Sequence, residues 1–302
     1  MQINNVGLAA GTYTIDIRTL DSEYQEAHKL KVTTTFTPNS SAETENNNSA
    51  QTANFIAEGQ KMYGALSRRE DTDYFRIRVS QDGFLRISLD HPYSQGHGTY
   101  HTWLRLDAAD GTDISSFKMM YSDACGEFIQ APVRKGDYIL SLSPLDGEYL
   151  LNEQMTDKLY AISYRVDPAS DCEFEYNGDY TKANSLNLNR TVTGSATCSR
   201  TGYDIDVYRF VLTEKTTVQL NLRYTGTYQA WAPWQIELYT PDAISQLFSP
   251  LCQVSPLPNA EYTGEAIELE AGTYYIRMQS SDMFGYFPAM RDSRYFLTVR
   301  TL

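Results

Sequence analysis

Two acidic, asparagine-bearing stretches recur along this chain, and each is followed by a second acidic cluster at the head of an apolar pattern. Glu43-Thr44-Glu45-Asn46-Asn47 is followed by Glu70-Asp71-Thr72-Asp73-Tyr74-Phe75, and Glu173-Phe174-Glu175-Tyr176-Asn177 by Asp204-Ile205-Asp206-Val207-Tyr208. Carboxylates and amides are hard oxygen ligands, and none of these segments contains a His or a Cys. Such a set suits Ca2+, which takes about six to eight oxygens in loose geometry. Closely spaced carboxylates backed by apolar residues repel one another strongly without a cation. Two solvated acidic loops in an acidic protein would have the same composition. Recurrence speaks for calcium, since solvated loops have no reason to repeat at matched places.

The offset that carries Glu43 to Glu173 also carries Pro38 to Pro168, Ala53-Asn54 to Ala183-Asn184 and Gly64 to Gly194. A repeat of this length is a whole domain, because solenoid units run roughly 20 to 50 residues. A strand pattern opening on Gly-x-Tyr occurs three times, at Gly11-Thr12-Tyr13, Gly136-Asp137-Tyr138 and Gly272-Thr273-Tyr274. The acidic stretch occurs only twice. The chain is therefore predicted to hold the C-terminal strands of a truncated copy at 1–37, then complete copies at 38–168 and 169–302. Thr37-Pro38-Asn39-Ser40-Ser41 and Asp167-Pro168-Ala169-Ser170 read as the linkers, since Pro and small polar residues stop strands.

The signal throughout is period two. Phe75, Ile77 and Val79 alternate with Arg76 and Arg78, and after Asp82-Gly83 come Leu85, Ile87 and Leu89. That pattern predicts a hairpin with Asp-Gly in its turn. Tyr208/Phe210/Leu212 and Val218/Leu220/Leu222 repeat it, and Trp103/Leu104/Leu106 is matched by Trp234/Ile236/Leu238. Closing strands are predicted at Leu30–Phe36, Tyr160–Val166 and Tyr295–Val299, and short helical turns at Ser49–Phe55 and Tyr180–Ser185. Many short strands with one apolar face argue for an all-β chain of antiparallel β-sandwiches.

With 302 residues, each complete copy is long enough to bury its own core. The net charge of −13 disfavours nucleic acid and anionic membranes as partners. No apolar run approaches the roughly 18 residues of a membrane span, so no membrane insertion is predicted. Residues 1–20 show neither a basic n-region nor a continuous apolar h-region of a signal peptide. Cys125, Cys172, Cys198 and Cys252 have no CxxC spacing, which disfavours structural zinc and leaves both disulfides and free thiols open.

Aromatic residues crowd the segments ahead of the Trp strands. Tyr93, Tyr100, Tyr228 and Trp231 are the candidate ligand-binding residues, a platform for a polysaccharide or an extended peptide; loop packing is the alternative. Trp103 and Trp234 are assigned to the core. No catalytic residues are predicted. His97-Gly98-Thr99-Tyr100-His101 lacks the Glu and the helix of a metalloprotease, no Gly-x-Ser-x-Gly elbow occurs, and no carboxylate pair is singled out for glycoside hydrolysis.

The order Glu-x-Glu-x-Asn, Ala-Asn, Asp-x-Asp-Tyr-Phe, Trp-x-x-Leu and Gly-x-Tyr resembles the bacterial pre-peptidase C-terminal domain, the family that includes the collagen-binding domains of clostridial collagenases. The likeness covers two complete domains and the end of a third. It implies jelly-roll-like sandwiches in tandem, a secreted or cell-surface location, and covalent attachment to upstream domains of a larger protein, a hydrolase being the usual parent. In calcium-binding members the acidic linker and the Asp cluster jointly hold Ca2+. Carried over, the metal ligands are Glu43, Glu45, Asn47, Asn48, Glu70, Asp71 and Asp73 in the first complete copy. In the second they are Glu173, Glu175, Asn177, Asp204 and Asp206. There Gly178 replaces Asn48 and Tyr203 stands in the place of Glu70. The resemblance also brings Cys172 and Cys198 near one another, which leaves a disulfide open. The stretch after Gly-x-Tyr lacks the aromatics that collagen-binding relatives use. The expectation is a non-catalytic, calcium-binding accessory array that stabilises, spaces or targets a larger protein. A carbohydrate- or peptide-binding module is the alternative, and a jelly-roll glycosidase the third.

Overall fold

The computed structural model describes residues 6–17, 31–66, 71–91, 100–120, 126–144, 159–195, 204–225, 234–244, 252–254, 261–280 and 294–302. The first sandwich is built from β1 (Asn54–Ile56), β2 (Met62–Gly64), β3 (Asp73–Val79), β4 (Gly83–Asp90), β5 (Tyr100–Ala108), β6 (Asp113–Met120), β7 (Gly126–Val133), β8 (Gly136–Pro144) and β9 (Tyr160–Pro168). Its two layers run β1-β3-β8-β5-β6 and β2-β9-β4-β7. Period-two patterning puts Phe75, Ile77 and Val79 of β3 in the core, where they meet Leu85, Ile87 and Leu89 of β4. Arg76 and Arg78 point to solvent from the same strand.

The second sandwich contains β10 (Asn184–Ser185), β11 (Thr191–Ser195), β12 (Ile205–Leu212), β13 (Thr216–Thr225), β14 (Trp234–Tyr239), the four-residue helix α1 (Pro241–Ile244), β15 (Cys252–Val254), β16 (Glu261–Thr263), β17 (Ile267–Leu269), β18 (Gly272–Ser280) and β19 (Arg294–Thr301). Its layers run β10-β12-β18-β14-β15 and β11-β19-β13-β16, with β17 also on β13. The strand orders of the two sandwiches correspond. All pairings are antiparallel except β1 with β3 and β10 with β12. The fold is all-β, as expected. No helix among the described residues is long and apolar enough to cross a membrane.

Three local expectations are corrected. The Asp82-Gly83 turn does not close a hairpin, because β3 and β4 lie in opposite layers. Asp82 instead caps the neighbouring turn by accepting the Lys135 backbone N–H at 2.7 Å. An arch and a hairpin carry the same apolar alternation, since both strands face one core. Second, Trp103 and Trp234 are not equivalent. Leu104 faces Leu142 and Ile236 faces Met278, so Thr102 occupies the place of Trp234. A one-residue offset reverses the face: Trp234 is buried, whereas Trp103 is only half-buried on the side opposite Leu104. Third, the described residues of 1–37 form no strand. They make a single bridge, Leu8 to Glu45, and leave Tyr13, Ile15 and Ile17 exposed. Among the described residues nothing covers the face that these residues alternate onto, and strands persist only when such a face is packed. Of the two expected helical turns, 49–52 is a plain turn and Tyr180–Lys182 a single 3-10 turn.

Candidate metal centres

Each sandwich gathers its acidic linker and the head of its first long strand into one buried cluster. In the first, the linker backbone is laid against β2: the Glu43 N–H donates to the Tyr63 carbonyl at 2.8 Å, and the Tyr63 N–H to the Ser41 carbonyl at 2.7 Å. Asn54 fixes it from the other side, accepting from the Thr44 N–H at 2.6 Å and donating to the Thr44 carbonyl at 3.1 Å. The Tyr74 N–H ties β3 to the Asn47 carbonyl at 3.1 Å. These contacts bring one carboxylate oxygen each of Glu43, Glu45 and Asp73 within 4.8 Å of one another. The second sandwich repeats the construction. Asn184 clamps Phe174 at 3.1 Å in both directions, the Val207 N–H reaches the Asn177 carbonyl at 3.1 Å, and Glu173, Glu175 and Asp206 gather within the same distance.

Inside the first cluster, Glu43 accepts from the Ala65 N–H at 2.7 Å through one oxygen. Its other oxygen accepts from the Asn47 side-chain amide and from the Tyr160 hydroxyl, each at 3.2 Å. That hydroxyl also lies within hydrogen-bond reach of Asp73 Oδ2. A phenol carries one proton, so it serves one carboxylate at a time. The second cluster matches it. Ser195 N–H and Asn177 Nδ2 donate to Glu173, and the Tyr295 hydroxyl contacts both Glu173 and Asp206 at 2.5 and 2.8 Å. A further hydroxyl, from Tyr208 where the first sandwich has Phe75, adds a contact to Glu173 at 3.1 Å.

Four oxygens remain buried without a hydrogen-bond partner: Asn47 Oδ1 and Asp73 Oδ1 in one cluster, Asn177 Oδ1 and Asp206 Oδ1 in the other. Their residues are completely buried, and Glu43 and Asp73 have no Lys or Arg partner among the described residues. A buried acceptor left unsatisfied costs roughly 1–3 kcal/mol, and more where it is charged. Burial above all pushes Glu43 up to about 7 and, with the charge of Glu43 added, Asp73 up to about 10. Burial likewise raises Glu173, and raises Asp206 well above the usual carboxylate range, with Asp204 contributing. Without a cation, such groups hold protons that ordinary carboxylates shed.

A pH dependence follows, with a definite sign. Glu43 shifts upward from 4.5 to about 7 on folding, so the metal-free folded state binds the extra proton between those values. Stability falls with pH wherever the folded state binds more protons. The metal-free first sandwich is therefore expected to gain stability as pH drops from 7 towards 4.5, and a calcium-loaded one to lose it as protons displace the ion. Urea midpoints across that window, with chelator and with calcium, check both slopes.

The expected ligands fall into place unevenly. Asp71 and Asp204 are buried beside the clusters. Asn48 turns its side-chain oxygen to the Thr72 N–H at 3.2 Å, clasping linker to loop. Glu70 lies outside the described residues, as do Tyr93, Tyr228 and Trp231. Tyr100 begins β5, but its side chain lies outside them too. Cys172 is a buried free thiol raised to about 11 by burial first, and Cys198 lies outside the described residues. The sequence reading missed Tyr160 and Tyr295, taken as core positions, although their place opening the closing strands was visible. It also missed what Ala-Asn and the paired Gly64 and Gly194 do.

No protein-family model matches the chain, and no curated protein sequence does. Among solved structures, the chain is similar to the pre-peptidase C-terminal domain of a Bacillus anthracis collagenase, at 18% identity and a TM-score of 0.28, covering 39% of this chain and 93% of that one. It is similar to the CUB1-EGF-CUB2 domains of rat MASP-1 at 12% identity and a TM-score of 0.25, over 82% of this chain and 99% of that one. The tandem CBM22 domains of Paenibacillus barcinonensis Xyn10C match at 9% identity and a TM-score of 0.21, over 75% of this chain and 82% of theirs.

Proposed function

We propose that this chain is a calcium-binding, non-catalytic β-sandwich array that serves as an accessory part of a secreted or cell-surface bacterial protein, a hydrolase being the parent that best suits it. The observation that carries the reading is the pair of orphaned buried oxygens in each cluster, beside Glu43 and Asp73 in the first, which have no Lys or Arg partner among the described residues. Glu43, Glu45, Asn47 and Asp73 would hold one ion, with Asp71 behind them. Glu173, Glu175, Asn177 and Asp206 would hold the other, with Asp204 in the corresponding place. All donors are oxygen, and the mix of carboxylate and amide carbonyl is what a hard, flexible-coordination cation takes. Bound calcium would supply charge neutralisation that no Lys or Arg among the described residues gives Glu43 or Asp73.

Calorimetric titration of the chelator-treated chain tests this. Two calcium ions per chain are expected, with proton release that grows below neutral pH as Glu43 gives up its proton. A flat titration in two buffers of different ionisation enthalpy would sink the reading.

A further inference from the structure

The two sandwiches meet along a defined seam. The Glu175 N–H, in the linker of the second, donates to the Pro132 carbonyl of the first at 3.5 Å. Beside it the Ser195 hydroxyl reaches the Gln130 carbonyl at 3.4 Å, and the Arg134 guanidinium lies 4.1 Å over the Phe174 ring. The metal linker of the following sandwich thus rests on the end of β7 in the preceding one.

The same seam exists at the front of the first sandwich, although no sandwich is described there. The Glu45 N–H, matching Glu175, donates to the Gly7 carbonyl at 2.9 Å. Gly7 stands four residues before Gly11 of the first Gly-x-Tyr, as Pro132 stands four before Gly136 of the second. The approach is closer than at Pro132: a Cβ on Gly7 would overlap the Glu43 carbonyl oxygen, so only glycine fits. A second correspondence is independent of the seam. The Tyr13 hydroxyl donates to the Ala9 carbonyl at 2.6 Å, the Tyr138 hydroxyl to Arg134 at 2.8 Å and the Tyr274 hydroxyl to Glu270 at 3.0 Å. All three corners span four residues. Yet Tyr138 and Tyr274 open β8 and β18, strands paired on both sides with apolar faces buried, whereas Tyr13, Ile15 and Ile17 are 51%, 57% and 55% exposed.

We infer that the linker face of the first sandwich around Glu45 is the seat of a preceding β-sandwich of the same kind, for which residues 11–17 supply the central strand. The partner this strand fits is a sheet with strands like β3 and β5 flanking one vacant central place, covalently continuous with residue 6. The seam is then one head-to-tail contact used repeatedly, and it holds whether or not the centres bind calcium.

The test extends the full chain by joining a duplicate of residues 38–131 directly to Gly7, which restores ahead of it the strands that precede Pro132. Amide exchange by mass spectrometry is read over residues 9–17 and 31–36, with the unextended chain as reference. Exchange slowed by roughly 100-fold or more, approaching that of β8, is the expected result. Unprotected exchange at 9–17 in an extended chain whose added segment is itself protected overturns the inference. In the unextended chain, Gly7→Val should expose the Glu45 amide while leaving β12 and β18 unchanged; an unaltered Glu45 amide likewise overturns the seat. Concentration-dependent protection of residues 9–17, with a dimer in sedimentation, would assign the strand to a second copy and overturn the covalent reading.

Discussion

Chelating calcium from the full chain is expected to lower its melting midpoint by roughly 10 °C, the larger part of the loss falling on the first sandwich. An ion bound only by the native state adds about 4 kcal/mol when free metal exceeds the dissociation constant a thousandfold. For domains of this size each kcal/mol moves the midpoint by a few degrees. Asp73→Asn keeps the volume and removes the charge, so the calcium-dependent shift of the first sandwich should vanish while its metal-free stability rises. Asp206→Asn should do the same to the second. The second shift should be the smaller, because the Tyr208 hydroxyl already satisfies Glu173 where Phe75 offers nothing, and Gly178 replaces the clasping Asn48. A midpoint indifferent to chelator, or a shift surviving both substitutions, would show that the clusters are not metal centres.

The other large effect is expected from two glycines. A Cβ on Gly64 would collide with the Tyr160 ring and hydroxyl and come within 2.6 Å of Glu43 Oε2; one on Gly194 would land on the Tyr295 ring. Neither tyrosine can retreat, since both are fully buried and Tyr295 meets Trp234 edge-on at 4.8 Å. Overpacking of this kind costs about 1–3 kcal/mol. Gly64→Ala and Gly194→Ala should reach the top of that range in chemical denaturation, and should weaken calcium binding as the tyrosine leaves its carboxylates. Gly136→Ala and Gly272→Ala are the contrast. Their new Cβ atoms would find nothing nearer than 3.8 Å, and a cost within about 0.5 kcal/mol is expected. Equal costs at all four sites would refute this account of the glycines.

That contrast marks how far the sequence could be read. Gly-x-Tyr stands out by recurrence, yet its glycine tolerates a side chain, while Gly64 and Gly194 are inconspicuous and sterically fixed. The alternation of Phe75, Ile77 and Val79 identifies a strand because one buried face is a local property. It says nothing of the partner, which is why the pattern predicts a β3–β4 hairpin where the structure places the two strands in opposite layers. The carboxylates were legible because oxygen donors leave a chemical signature in composition. Tyr160 and Tyr295 were not, since a hydroxyl aimed into an acidic cluster and a ring packed in a core are the same letter. Asn54 and Asn184 were visible as repeats, but the clamp they form on Thr44 and Phe174 depends on chain crossing that no spacing encodes.

At the seam the chain passes from one sandwich to the next with almost no free length. Pro168 closes β9, and by Asp171 the backbone already accepts a hydrogen bond from Thr193 of the next sandwich at 2.9 Å. The intervening Ala169 is itself held, donating to the Asp82 carbonyl at 3.3 Å. Asp167, just before, takes Arg86 at 2.5 Å from its own sandwich and Arg294 at 3.5 Å from the next. So little free chain leaves no slack for the two bodies to swing as beads on a string. In the accessory array proposed above, a partner carried at either end would be presented at a set distance and angle, so its effective concentration at a surface held by the other end would be fixed by shape. An array used in that way would favour targets whose sites match its span and exclude the rest, where a floppy tether would serve both.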